Sequence, residues 1–552
     1  MTKLLSPGFR ADLAKHFFSF LCWLSITSCA LTAGAANQLV VYPVTDGMSR
    51  NGDFTVKVRT PGQKWQDVPA YLVKVAQGVD TSVPAKNTDI PQNKPKTPQN
   101  AFRANMGPVD SSMASFDFSG TIDVSITYTK GDIKSARVRP LSYGITPLVK
   151  KNTITFSLAQ PRNLSVEVNG DIFHNLQLFA NSIEDTRPDP ADPNVIYYSP
   201  GVHQVGTVVV PSGKTVYLAG GASVEGSFLV NHVENVHILG RGILYQPGAE
   251  LLNRVSSQKT TTQDIAPPRG SGSRRDALLI EFSTNIGVEG IIVVPSTYTV
   301  LVGESQNVTI KNIKSFSAGG NNDGIDIFDS SDVLIDGVFM RNSDDTIAIY
   351  GHRWNYYGDT RRVTVQNSTL WADVAHPILV GTHGDSTNPD TLEDLTFLNI
   401  DILDHREPQL DYQGCMSLNA GDSNLIRNVR FENIRVEDFR EGQLVNLRVF
   451  YNKMYNTSPG RGIESVLFKD ITYNGTHANP SIIAGYDNTR MVKNVIFENL
   501  KVNGRVITDD MPGKPRWFKT GDIAGIFVGE HVEGLVFRGV APAPDSGKGQ
   551  SH

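Results

Sequence analysis

A right-handed, single-stranded parallel β-helix preceded by an N-terminal β-sandwich is the fold class the sequence predicts, and three observations predict it. A short phrase occurs three times in one register: Asn322-Asp323-Gly324-Ile325-Asp326-Ile327, Asp344-Asp345-Thr346-Ile347-Ala348-Ile349 and Ala375-His376-Pro377-Ile378-Leu379-Val380. A looser segment, Asn/Asp/Gly followed by alternating apolar residues and a second Asn/Asp/Gly, recurs from Asn235 to Gly534. Before residue 185 the pattern changes to short alternating strands between Gly, Pro and Asn turns.

The elements follow in order. Lys3, Arg10 and Lys15, an apolar run over residues 17–31 and then Ala33-Gly34-Ala35-Ala36 have the three parts of a secretory signal, so residues 1–36 are expected to be removed on export to the extracellular or periplasmic space. Residues 37–185 carry alternating runs such as Phe54-Thr55-Val56-Lys57-Val58 and Leu164-Ser165-Val166-Glu167-Val168, which suit a sandwich. Residues 80–112, rich in Pro, Asn, Lys and Thr, are expected to form a mobile loop. The Pro-rich stretch 186–193 marks the boundary to a β-helix over 190–540, and the Pro, Gly and Ser tail 541–552 is expected to be disordered.

Strands at a fixed period, with no helical pattern between them, must each pair with their counterpart one repeat later. Repeats open at Asn235, Asn285, Asn307, Asp332, Arg362, Asp394, Asn428, Ser465, Asn494 and Gly534, and the interval from Asn235 to Asn285 has room for two turns. Asn307, Asn312, Asn433, Asn494 and Asn499 at equivalent corners would satisfy one another's amides in a ladder.

Composition narrows the function classes. The chain of 552 residues, 39 % hydrophobic and 19 % charged, is long enough for more than one core. Its net charge is −5; residues 1–36 contribute +2 (three basic, one acidic), leaving −5 − 2 = −7, which disfavours a nucleic-acid partner. Cys22 and Cys29 leave with the signal, so Cys415 alone remains and neither an intramolecular disulfide nor a thiolate zinc site is possible. No cofactor or metal is expected. A monomer without a membrane span is. The sequons at Asn163, Asn307, Asn367, Asn456 and Asn474 are no more than an Asn-rich chain gives by chance.

If Ile325, Ile347 and Ile378 stack, then Asp323, Asp345 and His376 form a column with Asp344 beside it. Like charges separated by one interstrand spacing push their pKa values apart, so one carboxyl stays protonated while its neighbours ionise. That is what hydrolysis of a glycosidic bond needs. Turn capping and Ca²⁺ ligation are the blander alternatives. Asp326, Asp329, Asp332 and Asp336 are assigned to turns and solvent, His352 and His383 to loops, and Cys415 to the core. The sequence contains no phosphate loop, HExxH or Gly-x-Ser-x-Gly.

Asn322-Asp323, Asp344-Asp345 and Ala375-His376-Pro377-Ile378-Leu379-Val380-Gly381 together resemble glycoside hydrolase family 28, the polygalacturonases. The resemblance implies that Asp344 is the general acid, that Asp323 and Asp345 activate water, that His376 sustains protonation of the acid, and that the outcome is inversion. The N-terminal region, with residues 164–168 leading to 176–181, is similar to glycoside hydrolase family 49, the dextranases and isopullulanases. A secreted glycosidase acting on a polysaccharide or oligosaccharide follows, pectin-like or an α-glucan such as dextran. A polysaccharide lyase or epimerase, or a non-catalytic carbohydrate-binding protein, is the alternative.

The departures concern substrate. Ala375 and Pro377 replace the family's glycines, and an aromatic insertion at residues 350–357 stretches the interval from Asp345 to His376 to 31 residues. The family's Arg-x-Lys carboxylate clamp corresponds either to Ser417 and Asn419 or to Arg448 and Phe450, and neither pair has the lysine. A neutral sugar is therefore favoured over galacturonate. Trp354, Tyr356 and Tyr357 could form a stacking platform or pack the insertion down. His405, Arg406 and Arg448 complete the expected substrate contacts.

Overall fold

The computed structural model describes residues 37–44, 48–78, 107–247, 276–409, 411–453 and 455–540. The expected signal, most of the expected loop and the expected tail lie outside these. Residues 108–112 of that loop belong instead to the strand Pro108–Ser119, which pairs with Asp171–Ser182 and Gln38–Val41.

A six-stranded sheet and a five-stranded sheet form the N-terminal layers. Alternation explains their core: Phe54, Val56 and Val58 point inward from one sheet, Leu164, Val166 and Val168 from the other, and all are buried in one cluster.

From Val195 onward, 31 strands form one continuous sheet, and nearly every strand pairs in parallel with its counterpart one coil later. Ile325 pairs with Ile347 and Ile347 with Ile378, all fully buried, as the register of the three phrases requires. Burying each such side chain is worth about 1.5–3 kcal/mol. A Phe column, Phe397, Phe431, Phe468, Phe497 and Phe537, stacks at 4.7, 4.8, 4.7 and 4.9 Å between centroids, matching one interstrand spacing per coil.

The repeat openers share a backbone reason. Asn235, Asn285, Asn307, Asp332, Arg362, Asp394, Asn428, Ser465 and Asn494 all have φ between 55° and 60°, the left-handed region that Asn and Asp tolerate best. The amide ladder is present: Asn307 Nδ2 donates to Asn285 Oδ1 at 2.7 Å and Asn285 Nδ2 to Asn235 Oδ1 at 3.1 Å. The interval from Asn235 to Asn285 holds one turn, not two, because Glu234–Gly240 pairs directly with Thr284–Glu289. The extra length is an insertion.

The six-stranded sheet packs on the coil through a second apolar cluster that joins Val73, Val75 and Phe179 to Tyr245, Phe316 and Phe339. Among the described residues no helix is long and apolar enough to cross a membrane.

Candidate active site

The strands Ile325–Phe328, Ile347–Tyr350, Ile378–Gly381 and Met416–Ala420 lie side by side on successive coils. Their isoleucines, Val380, Met416 and Leu418 point inward, so the intervening residues lie on the outer side of the same strands, where they too are buried: Asp326 and Phe328, Ala348 and Tyr350, Leu379, then Ser417 and Asn419. The turns entering these strands bring Asp323, Asp344-Asp345 and His376 to one end. Gly324 N–H donates to the Asp345 carbonyl and Thr346 N–H to that of His376, each at 2.8 Å, which holds the turns in stack.

Asp345 is the most constrained of the acids. His376 Nδ1 lies 2.7 Å from its Oδ1, the His376 backbone N–H reaches the same oxygen at 3.2 Å, and the Tyr350 hydroxyl donates to its Oδ2 at 3.0 Å. The other ring nitrogen of His376 faces the Tyr412 carbonyl, an obligate acceptor, so Nε2 carries a proton. Burial disfavours the imidazolium, but the Asp345 carboxylate outweighs it and the His376 pKa is raised. An imidazolium bonded to a carboxylate satisfies both nitrogens. The histidine thus bonds Asp345, not the expected acid Asp344, because Asp345 stands directly beneath it in the column.

Asp344 is partly exposed; its Oδ2 accepts from Asn321 N–H at 3.1 Å and its Oδ1 from Asp345 N–H at 3.2 Å. Asp323 is buried with one oxygen lacking a hydrogen bond, and burial, then Asp326, Asp344 and Asp345, push its pKa well above the carboxylate range. Asp326 belongs to this cluster, not to a turn: it is fully buried, neither oxygen has a hydrogen bond, and burial followed by Asp345 raises its pKa. Its place between Ile325 and Ile327 is the signal that could have found it. Asp329 is likewise buried, and burial raises it to about 9, whereas Asp332 and Asp336 do lie at outer corners, bonded to Arg362 and Asn367.

Three expected substrate contacts are corrected. Tyr356 is fully buried, donates to Glu281 at 2.7 Å and stacks on Phe328, so it packs the insertion down. His405 is fully buried between the Ala375 carbonyl (2.8 Å) and Gly414 N–H (3.2 Å), and burial lowers its pKa to about 3, so it is a neutral support for the turn carrying His376. Arg406 is buried against Gly78, whose φ of +85° and close approach to the guanidinium leave no room for a side chain.

Trp354 is half-buried against Phe328 at 5.2 Å, and Tyr357 is exposed and stacked on His352. Arg448 pairs in register with Asn419 one coil further on, and its Nη1 donates to the Asp411 carbonyl at 3.0 Å. Ser417 and Asn419 are therefore the pair on the coil after His376, and Asn419 donates to Ser417 at 2.6 Å. The sequence reading missed Asp326, Tyr350 and Tyr412 as neighbours of the catalytic candidates. Cys415 is buried in the core as expected.

The profile of glycosyl hydrolases family 28 matches residues 209–512. Among curated proteins, the chain is 26 % identical over 190 residues to endopolygalacturonase B of Aspergillus niger, covering 34 % of this chain and 47 % of that one. The chain thus spans about half the length of such relatives. Among solved structures it is similar to Dex49A from Penicillium minioluteum (15 % identity, TM-score 0.46, 85 % and 92 % of the two chains). It is also similar to the Yersinia enterocolitica family 28 exopolygalacturonase (13 %, TM-score 0.45, 77 % and 98 %).

Proposed function

The chain belongs to glycosyl hydrolases family 28, and on that premise we propose that it is an inverting glycosidase in which Asp323, Asp344, Asp345 and His376 carry the reaction. The observation that carries this reading is the His376 to Asp345 bond of 2.7 Å inside a group of buried acids. His376 bonds Asp345, and Asp345 is assigned the removal of a proton from a water that Asp323 helps to position. Burial, then Asp326, Asp344 and Asp345, push the Asp323 carboxyl well above its ordinary range, which favours retention of a proton within the group. Asp344, the partly exposed member, is where a glycosidic oxygen can receive that proton. Asp323 and Asp345 on one column are assigned to one water on the side of the anomeric carbon away from Asp344, the inverting arrangement, which calls for about 6.5–9.5 Å between acid and base.

The substrate is proposed to be a neutral glycan. The A. niger relative is named for a galacturonan, but Ser417 and Asn419 stand where the cationic clamp would be, and a uronate carboxylate there would lose its hydration for no cation. Export, with residues 1–36 as signal, is part of the same proposal. A reducing-sugar screen on dextran, pullulan, galactan and polygalacturonate tests it. Release from a neutral polymer supports the reading; release from polygalacturonate alone overturns the substrate, and none from any overturns the hydrolase.

A further inference from the structure

The turn that carries His376 is built on Ala375, whose φ of +64° lies in the left-handed region that a residue with a Cβ enters at a cost. Such a conformation persists where its surroundings over-determine it. Ala375 N–H donates to the Arg406 carbonyl at 2.8 Å, and the Ala375 carbonyl accepts from His405 Nδ1 at 2.8 Å. The Ala375 methyl is buried in an apolar cluster with Val374 and Ala76. Ala76 does not belong to the coil. It ends the sandwich strand Tyr71–Ala76.

The next two residues of the sandwich continue the contact. The Gln77 carbonyl accepts from Arg440 Nη1 at 2.8 Å, and Gly78 lies against the Arg406 guanidinium. Arg440 also donates from Nη2 to the Asp373 carbonyl at 2.8 Å, at the start of the turn, and from Nε to Asp404 Oδ2 at 2.6 Å. The other Asp404 oxygen accepts from His405 N–H at 2.9 Å. One guanidinium thus ties the sandwich backbone both to the turn and to the histidine that supports it. Arg139 differs: it bonds Glu167, Glu437 and the Leu403 carbonyl, none of them in this turn.

We infer that the sandwich helps to build the active site: Ala76, the Gln77 carbonyl and Arg440 are positioning groups that set the Ala375-His376 turn, and with it the contact between His376 and Asp345. Ala375 stands where the family resemblance implies glycine, and its methyl gives Ala76 a surface to pack on. Displacing a reacting group by about 1 Å can cost about 10²-fold in rate, so a contact outside the cleft is enough to matter. The inference rests on the proposed function for the role of His376.

Nitrogen-15 NMR of histidine-labelled protein, with His376 assigned by its loss in His376→Asn, tests it in Arg440→Met and Ala76→Gly. The titratable groups facing His376 are Asp345, Glu407, His405 and Tyr412, and Asp345 does most to raise its pKa. That pKa falls by about one pH unit in both variants as the contact with Asp345 loosens. Loss of the Arg440 charge alone would raise it, so the direction separates geometry from charge. On a polysaccharide that the parent hydrolyses, kcat falls by about 10- to 100-fold with KM within a few-fold. Arg440→Lys recovers part of the loss, because an ammonium lacks the fork that reaches two carbonyls. An unchanged His376 titration in Ala76→Gly, a rise in folded Arg440→Met, or a kcat that stays at the parent level while the titration moves overturns the inference. Ala76→Gly alone decides if Arg440→Met does not fold. A titration that moves in a protein that hydrolyses none of the polysaccharides supports the positioning and counts against the hydrolase reading.

Discussion

The two sides of the coil treat buried charge in opposite ways. On the side facing the sandwich, ion pairs neutralise it: Arg139 bonds Glu167 at 2.8 Å and Glu437 at 2.7 Å, Arg241 bonds Asp117 at 2.9 Å, and Arg341 bonds Asp373 at 2.9 Å while lying 3.9 Å from the Trp371 ring. On the cleft side, Asp323, Asp326 and Asp345 are buried together, and His376 provides the one cation bonded to them among the described residues. Paired charges offset their desolvation cost and fix the docking of two layers. Acids buried side by side do not offset it. They are retained where their shifted proton affinities serve a reaction.

The comparison predicts that mutations on the two sides fail differently. Asp344→Asn lowers kcat by about 10²- to 10⁴-fold, the range for loss of an acid, while the protein still folds because the side chain is isosteric and partly exposed. Turnover near that of the parent enzyme would remove Asp344 from the mechanism. Arg139→Met does the reverse. It leaves Glu167 and Glu437 buried without their shared cation and costs about 3–5 kcal/mol of stability, read by denaturant unfolding, while kcat of the folded fraction stays within a few-fold. A drop in kcat without destabilisation would mean that the sandwich contact acts on the cleft.

The smaller effect is in the pH profile. The folded pKa of His376 is raised above its ordinary value of about 6.5. The stabilisation from the imidazolium is therefore fully present below that ordinary value and is lost as pH rises through the folded one. The alkaline limb of kcat/KM should lie above about pH 6.5, and His376→Asn should abolish that limb. A limb at or below the ordinary imidazole value would mean that the His376 to Asp345 bond does not carry a charge.

The coil was legible in the sequence because one mechanism repeats: left-handed corners select Asn and Asp, and inward positions select Ile, Val and Phe. Asn307 and Ile347 could be placed by pattern alone. Asp326 was misread because an acid in a Gly-rich phrase looks like turn chemistry, although alternation with Ile325 and Ile327 put it on the outer side of the strand. His405 and Arg406 were misread because a histidine and an arginine near the site suggest contacts, whereas they are buried against Gly442 and Gly78 respectively, each distant in sequence. Long-range packing of that kind leaves no local signature. The choice between Ser417 with Asn419 and Arg448 with Phe450 depended on how many residues each loop consumed, and only the register resolved it.

The central claim is that the cleft acids act together on a water, with no covalent intermediate. Proton NMR of the first products from whichever polysaccharide is hydrolysed tests it most directly, recorded before mutarotation equilibrates the new reducing end. The account predicts that the first anomeric signal has the configuration opposite to that of the cleaved linkage. A first signal with the linkage's own configuration would contradict it and make one of these aspartates a nucleophile.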